Sequence, residues 1–248
     1  MQSEFMPIIE ELERSLQAYF ADRIVSAYLH GSIDKQDAIP GLSDLDYFLL
    51  VRDLVLPEDE TWINEMKQLL QARYREIDEI HLTVKPVADL SDDPFTRFIL
   101  SQNAALRMGI PIEEIKAYKA CIWYYPDSCI SKMRLAFARD CFHSALKGKQ
   151  VACTGGIPEN AYYAARKLAR YFVVIEGAYF LMTRGAYRGF DKENVLLGLH
   201  EEVPQFSQQI EMASRVLSNP IEAGVTGKAF LQQIQPMVEW MFDEIKRI

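Results

Sequence analysis

Apolar positions along the 248-residue chain fall into two textures that meet near residue 92. In the first stretch, helical and strand-like periods alternate. Ile8, Ile9, Leu12, Leu16 and Phe20 recur at three- and four-residue spacing and predict an amphipathic helix between Glu4 and Ala21. Ile24 to Leu29 is a short apolar run that ends at His30-Gly31-Ser32. Tyr47 to Val51 is a second continuous run and directly follows two aspartates. Asp59 to Arg75 is helical again, with Trp62, Ile63, Met66, Leu69 and Leu70 on one face. Ile77 to Val84 alternates and carries the β-branched Ile80, Thr83 and Val84, so it reads as a third strand.

Beyond Ser91-Asp92-Asp93-Pro94, a good helix cap and first turn, the pattern is helical almost to the end. Ala161, Ala164, Leu168, Tyr171, Ile175, Ala178 and Met182 keep one face through the longest helix, and Asp191, Pro204 and Gly224 lie at or near further helix starts. The expected fold class is α+β: a small mixed-sheet domain over residues 1–92, then an all-α helical-bundle domain over residues 93–248.

Composition narrows the function classes. Hydrophobic residues at 49% and charged residues at 25% match an ordinary globular protein. With 27 basic and 35 acidic side chains the net charge is −8, so a broad nucleic-acid footprint or an anionic-membrane surface is not expected. The acidity is uneven: residues 1–92 hold 8 basic and 19 acidic groups, and the remainder holds 19 and 16. No apolar window reaches the roughly 18 residues a membrane helix needs. The N-terminus lacks the basic flank of a signal peptide. Cys121, Cys129, Cys141 and Cys153 show no C-x-x-C spacing and read as reduced thiols, which places the expected location in the cytoplasm.

The informative stretch is Leu29-His30-Gly31-Ser32, eleven residues, then Asp44-Leu45-Asp46 opening the run Tyr47 to Val51. A strand that ends in Gly-Ser at a helix start offers backbone N–H groups and a hydroxyl to a phosphate, and Gly31 permits close approach. Residues two apart on a strand share a face, so Asp44 and Asp46 project together. Paired carboxylates repel unless a cation sits between them, and hard divalent ions take oxygen ligands. The Pro40-Gly41 turn signal lets the loop bring the Gly-Ser end beside the aspartates. A phosphate cradle with paired carboxylates points to metal-assisted phosphoryl or nucleotidyl transfer, with two Mg²⁺ ions expected.

This G-S-x11-D-x-D arrangement resembles the signature of the nucleotidyltransferase superfamily with the polymerase-β-type palm. The resemblance implies a third carboxylate on a neighbouring strand. The segment Glu76 to Val84 is the suitable one, with Glu79, His81, Thr83 and Lys85 on one face and Asp78, Ile80, Leu82 and Val84 on the other. Glu79 is favoured as the base for an incoming hydroxyl because the second face is mostly apolar, with Asp78 as the alternative.

Within the superfamily the chain is most similar to the aminoglycoside adenylyltransferases that modify streptomycin and spectinomycin. The similarity rests on Glu79-Ile80-His81-Leu82-Thr83-Val84 and on Ala178 to Gly185, followed by Asp191-Lys192-Glu193 and Val203-Pro204-Gln205-Phe206. It implies that Lys192 contacts nucleotide phosphates. It further implies transfer of AMP from ATP to a hydroxyl of a small-molecule acceptor, with antibiotic resistance as one outcome, by a monomer or homodimer. Gly31 and Ser32 would hold phosphates, Asp44 and Asp46 the metal, and Glu79 would activate the hydroxyl.

One region departs from that family, which places acidic residues near the start of its long helix. Here Thr154-Gly155-Gly156-Ile157-Pro158-Glu159 is followed by Arg166, Lys167 and Arg170, a basic cluster that would repel a polycation. The acceptor therefore stays open. The alternatives are a protein-AMPylating enzyme of toxin–antitoxin type and a nucleotide-binding module without catalysis. Glu176, inside an apolar helix, could face a substrate, but such a residue more often points to a polar crevice or pairs with a nearby arginine. Trp123-Tyr124-Tyr125 reads as a packing cluster, and the four histidines show no metal-ligand spacing.

Overall fold

The computed structural model describes residues 2–116, 128–149 and 160–245. Its single mixed sheet is built from β1 (Ile24–His30), β2 (Leu45–Val51), β3 (Ile80–Pro86) and β4 (Ala104–Gly109), ordered β3-β2-β1-β4. β1 runs antiparallel to β2 and β4, while β2 and β3 are parallel. The parallel pair requires a crossover, which α3 (Pro57–Arg73) supplies. Strand and helix alternation thus yields the expected α+β class.

Each sheet face has its own core. α1 (Met6–Phe20) and α3 bury Ile8, Ile9, Leu12, Leu16, Ile63, Met66 and Leu70 against Ala27, Leu29, Leu45, Tyr47, Leu49, Val51 and Ile80. The opposite face packs Tyr28 and Leu50 with Leu90, Leu100, Ile112 and Ile115, from the segment around α4 (Pro94–Gln102). Alternation along β1 and β2 puts consecutive residues into different cores, which explains why both strands read as continuous apolar runs.

Two expectations change here. The chain divides into compact units Met1–Tyr125 and Pro126–Ile248, so the textural break near residue 92 lies inside the first unit. The reason is β4, which the helical reading of residues beyond 92 did not contain. Its backbone pairs with β1 from Ser26↔Gly109 to His30↔Ala104, and Arg107 binds Glu13 of α1 through Nε at 2.6 Å. The third strand also begins later than its alternation predicts, at Ile80, with Glu79 immediately before it.

The second unit is helical. It comprises α5 (Ser128–Leu146), α6 (Ala161–Ala169), α7 (Glu176–Thr183), α8 (Lys192–Glu202), α9 (Ser207–Ser218), α10 (Pro220–Ala223) and α11 (Gly227–Ile245). Phe142, Phe172, Phe180 and Phe230 are completely buried at its centre. The expected longest helix is interrupted: a π-helical segment, Arg170–Ile175, joins α6 to α7. Two glycines lie at the contact of α7 with α8, each facing a leucine of the other helix. A Cβ on Gly177 would stand 2.9 Å from Leu199 Cδ1, and one on Gly198 would stand 2.8 Å from Leu181 Cδ1. No helix among the described residues is long and apolar enough to cross a membrane. Cys121, Cys153, the Trp123-Tyr124-Tyr125 cluster and Thr154 to Glu159 lie outside the described residues, as does the side chain of Cys129. Cys141 is a free, buried thiol.

Candidate functional site

The sheet register assembles the polar residues at one sheet end. His30 of β1 pairs with Asp46 of β2, and Asp46 pairs with His81 of β3, giving a row His30-Asp46-His81 across three strands. Two positions towards the strand start, continuing the parallel register that pairs Leu45 with Ile80 sets Asp44 beside Glu79, and Leu45 N–H donates to the Glu79 carbonyl at 2.8 Å. These side chains share a face away from the α1/α3 core.

The loop from Lys35 to Ser43 is held to the same sheet end by its own backbone. Gly41 N–H donates to the Glu76 carbonyl at 2.8 Å, Asp78 N–H donates to the Ser43 carbonyl at 3.1 Å, and Ser43 Oγ accepts from Ile39 N–H at 2.8 Å. Gln2 clamps the loop from outside, exchanging two 3.0 Å hydrogen bonds with the backbone of Ala38. Asp44 therefore enters β2 from a fixed direction.

Gly31 opens the four-residue helix α2 (Gly31–Asp34) directly after β1. Its φ of +78° lies in the left-handed region, and an ideal Cβ would stand 2.1 Å from Asp46 Oδ2. The glycine backbone is thus the wall against which the Asp46 carboxylate rests. Ser32, next in sequence, is buried.

His81 joins the carboxylates from the other side. Its Nδ1 lies 3.2 Å from Asp46 Oδ1 and its Nε2 lies 3.1 Å from Glu79 Oε2. Its pKa is pushed up to about 9, chiefly by the hydrogen bond to Asp46, with the charges of Asp46 and Asp44 and the bond to Glu79 adding to it against the opposing effect of burial. His30 goes the other way: loss of solvent lowers its pKa despite the nearby Asp46, and its ring packs 5.1 Å from Phe48. One histidine packs and the other bridges.

Farther along β3 the same face is used up structurally. Lys85 Nζ binds Asp93 and, at 3.2 Å, Thr96 Oγ1, at the start of α4. Asp93 caps that helix by accepting Thr96 N–H at 2.9 Å. Among the described residues, the polar cluster at this sheet end comprises Gly31, Asp44, Asp46, Glu79 and His81, with the buried Ser32 next to Gly31 in sequence.

Among the described residues, no group of three or more His, Cys, Asp and Glu side chains has the arrangement of a complete metal site. The donor set suits Mg²⁺ in a narrower way. That ion is commonly held by one or two carboxylates, with substrate phosphates and water completing its shell. Asp44 and Asp46, two oxygen donors backed by a glycine, fit that pattern.

No known family model matches the chain, and no curated protein matches it in sequence. Among solved structures, it matches spectinomycin adenyltransferase AAD(9) from Enterococcus faecialis, determined with ATP and spectinomycin. The TM-score is 0.53 over 97% of this chain and 99% of that one, at 9% identity. At that identity the likeness is one of fold. That likeness agrees with the resemblance drawn from the Gly-Ser and D-x-D stretch, and it extends over the helical unit as well as the sheet.

Within the helical unit, Lys192 opens α8 just after its cap Asp191, whose side chain accepts Glu193 N–H at 3.0 Å. Glu176 is completely buried and pairs with Arg134 at 2.9 Å. Burial pushes its carboxyl up to about 7 against the opposing pull of Arg134. Arg166 donates to the Leu217 carbonyl at 3.1 Å, so one member of the expected basic cluster is committed to helix packing. Sequence reasoning put His81 on the face of Glu79 but missed its bond to Asp46. Alternation reveals a shared face along one strand, whereas the neighbour across the sheet depends on register.

Proposed function

We propose that this chain is a Mg²⁺-dependent nucleotidyltransferase that moves AMP from ATP to a hydroxyl of a small-molecule acceptor. The observation that carries this reading is the sheet-end cluster, in which Asp44, Asp46 and Glu79 stand on one face beside the Gly31-Ser32 turn. The spectinomycin adenyltransferase fold supports it, because the matching protein was determined with ATP and spectinomycin.

Asp44 and Asp46 would hold the metal, which when bound neutralises charge on the triphosphate and the departing pyrophosphate. Gly31 and Ser32 hold phosphate oxygens through backbone N–H groups and the hydroxyl. Lys192 adds a positive charge to the phosphates. Glu79 accepts the proton of the acceptor hydroxyl as its oxygen bonds to the α-phosphorus. The bond from that phosphorus to the bridging oxygen of the β-phosphate breaks, and pyrophosphate leaves. Glu79 suits the base role because it is the outermost carboxylate of the cluster, with 47% of its side chain exposed.

The test is pyrophosphate release from ATP and Mg²⁺ across a panel of spectinomycin, other aminocyclitol and aminoglycoside antibiotics, and small metabolites. Turnover is expected with at least one hydroxyl-bearing acceptor, and Asp46→Asn should lower it by about 10³-fold with an unchanged circular-dichroism spectrum. A variant as fast as the wild type, or no release with any acceptor, overturns the proposal.

A further inference from the structure

We propose that His81 is the positioning residue for Glu79, tying the base to the metal-side carboxylate Asp46; the inference rests on the nucleotidyltransferase reading of this site. Glu79 precedes β3 and has half of its side chain in solvent, so little else in its strand restrains its rotamers. The His81 ring supplies the restraint, donating from Nε2 to Glu79 Oε2 at 3.1 Å. The ring is itself held, because Nδ1 meets Asp46 Oδ1 at 3.2 Å. Asp46 in turn rests its other oxygen against the bare α-carbon side of Gly31. A linear relay of contacts, Gly31 to Asp46 to His81 to Glu79, therefore sets the distance between the metal carboxylate and the base.

The four residues come from the ends of three strands. The parallel β2–β3 register puts His81 beside Asp46, and the two-residue spacing at the start of β3 puts Glu79 beside the ring's far nitrogen. The His81 ring spans the two carboxylates with one ring nitrogen facing each, a geometry no aliphatic or hydroxyl side chain reproduces. The described residues hold no arrangement that makes His81 a member of a three-ligand metal cluster, so the ring acts as a hydrogen-bond bridge between acids.

The two arms can be separated. Asn places its amide nitrogen near the position of Nδ1, and Gln places its nitrogen near that of Nε2. H81A and H81N should lower kcat for pyrophosphate release by about 10- to 100-fold, with KM for ATP nearly unchanged, as is usual when a supporting partner of a site residue is removed. H81Q, which keeps the arm to Glu79, should recover most of that loss. In an E79Q background H81A should cost almost nothing further, because the two residues act as one unit. In the nucleotide-free, metal-free protein, E79Q should move the ¹⁵N resonance of His81 Nε2 more than that of Nδ1.

Equal kcat for H81N and H81Q, additive losses in the double variant, or an unmoved Nε2 resonance overturns the positioning role. An active wild type with a fully active H81A overturns the positioning role alone. A wild type that releases no pyrophosphate overturns the nucleotidyltransferase reading and this inference with it.

Discussion

Gly31 is the residue on which the cluster leans. Its left-handed backbone costs an L-residue about 1–2 kcal/mol, and any Cβ would meet Asp46 Oδ2 at 2.1 Å. Gly31→Ala is therefore expected to lower stability by about 1–3 kcal/mol in urea unfolding. It should also remove most of the pyrophosphate release, since Asp46 must swing away from its wall. A variant with wild-type turnover would show that the carboxylate does not need that wall. Sequence placed Gly31 at a strand-to-helix turn. The contact with Asp46 needs the His30↔Asp46 pairing as well, which the fold supplies.

At the scale of elements, the crossover helix α3 is pinned by one buried ion pair. Arg23, just before β1, donates to both oxygens of Asp59 at 2.9 Å, and Asp59 also accepts Leu56 N–H at 2.8 Å to cap the helix. Asp59 is 1% exposed, and the hydrogen bonds from Arg23 hold its carboxyl down at about 2. Because the unfolded chain protonates first, this stabilisation is present above pH 3.8 and is lost as pH falls through about 2. Asp59→Asn should cost about 2–4 kcal/mol at pH 7 and flatten the stability profile between those values. Urea melts between pH 2 and pH 7 would expose a contrary, unchanged slope.

Periodicity made α1 and α3 legible. β4 was not, since Ala104-Ala105-Leu106-Arg107-Met108-Gly109 offers weak alternation and becomes a strand by pairing with β1. The π-helical turn escaped for a related reason, because one extra residue barely disturbs an i, i+3/i+4 pattern.

Across the whole molecule, charge and burial divide by unit. Met1–Tyr125 holds 12 basic and 22 acidic side chains, a net of −10, while Pro126–Ile248 holds 15 and 13, a net of +2. The acidic excess belongs to the unit with the carboxylate cluster. Among the described residues, the helical unit instead buries a single acid, Glu176, against Arg134. With its carboxyl at about 7 in the fold and 4.5 as its ordinary value, Glu176 takes up a proton in the native state first. Its contribution is most favourable below pH 4.5 and is lost as pH rises through 7. Arg134→Ala leaves that acid unpaired. It should destabilise the protein by about 3–5 kcal/mol at pH 8 and by clearly less at pH 5, where Glu176 is neutral. A loss equal at both values in denaturant melts would contradict the burial assignment.

Sequence alone supplied the motif on which the proposed chemistry rests and most of the elements that carry it. Gly-Ser after one apolar run and D-x-D before another are local facts, and hydrophobic period is a property of the chain. The tertiary structure decided what stands beside what. Strand register set His81 between Asp46 and Glu79, backbone pairing recruited β4 and moved the unit boundary past it, and packing matched Glu176 with Arg134. Those outcomes depend on contacts between residues distant in sequence, whose energies arise only once the sheet and the helices have closed on one another.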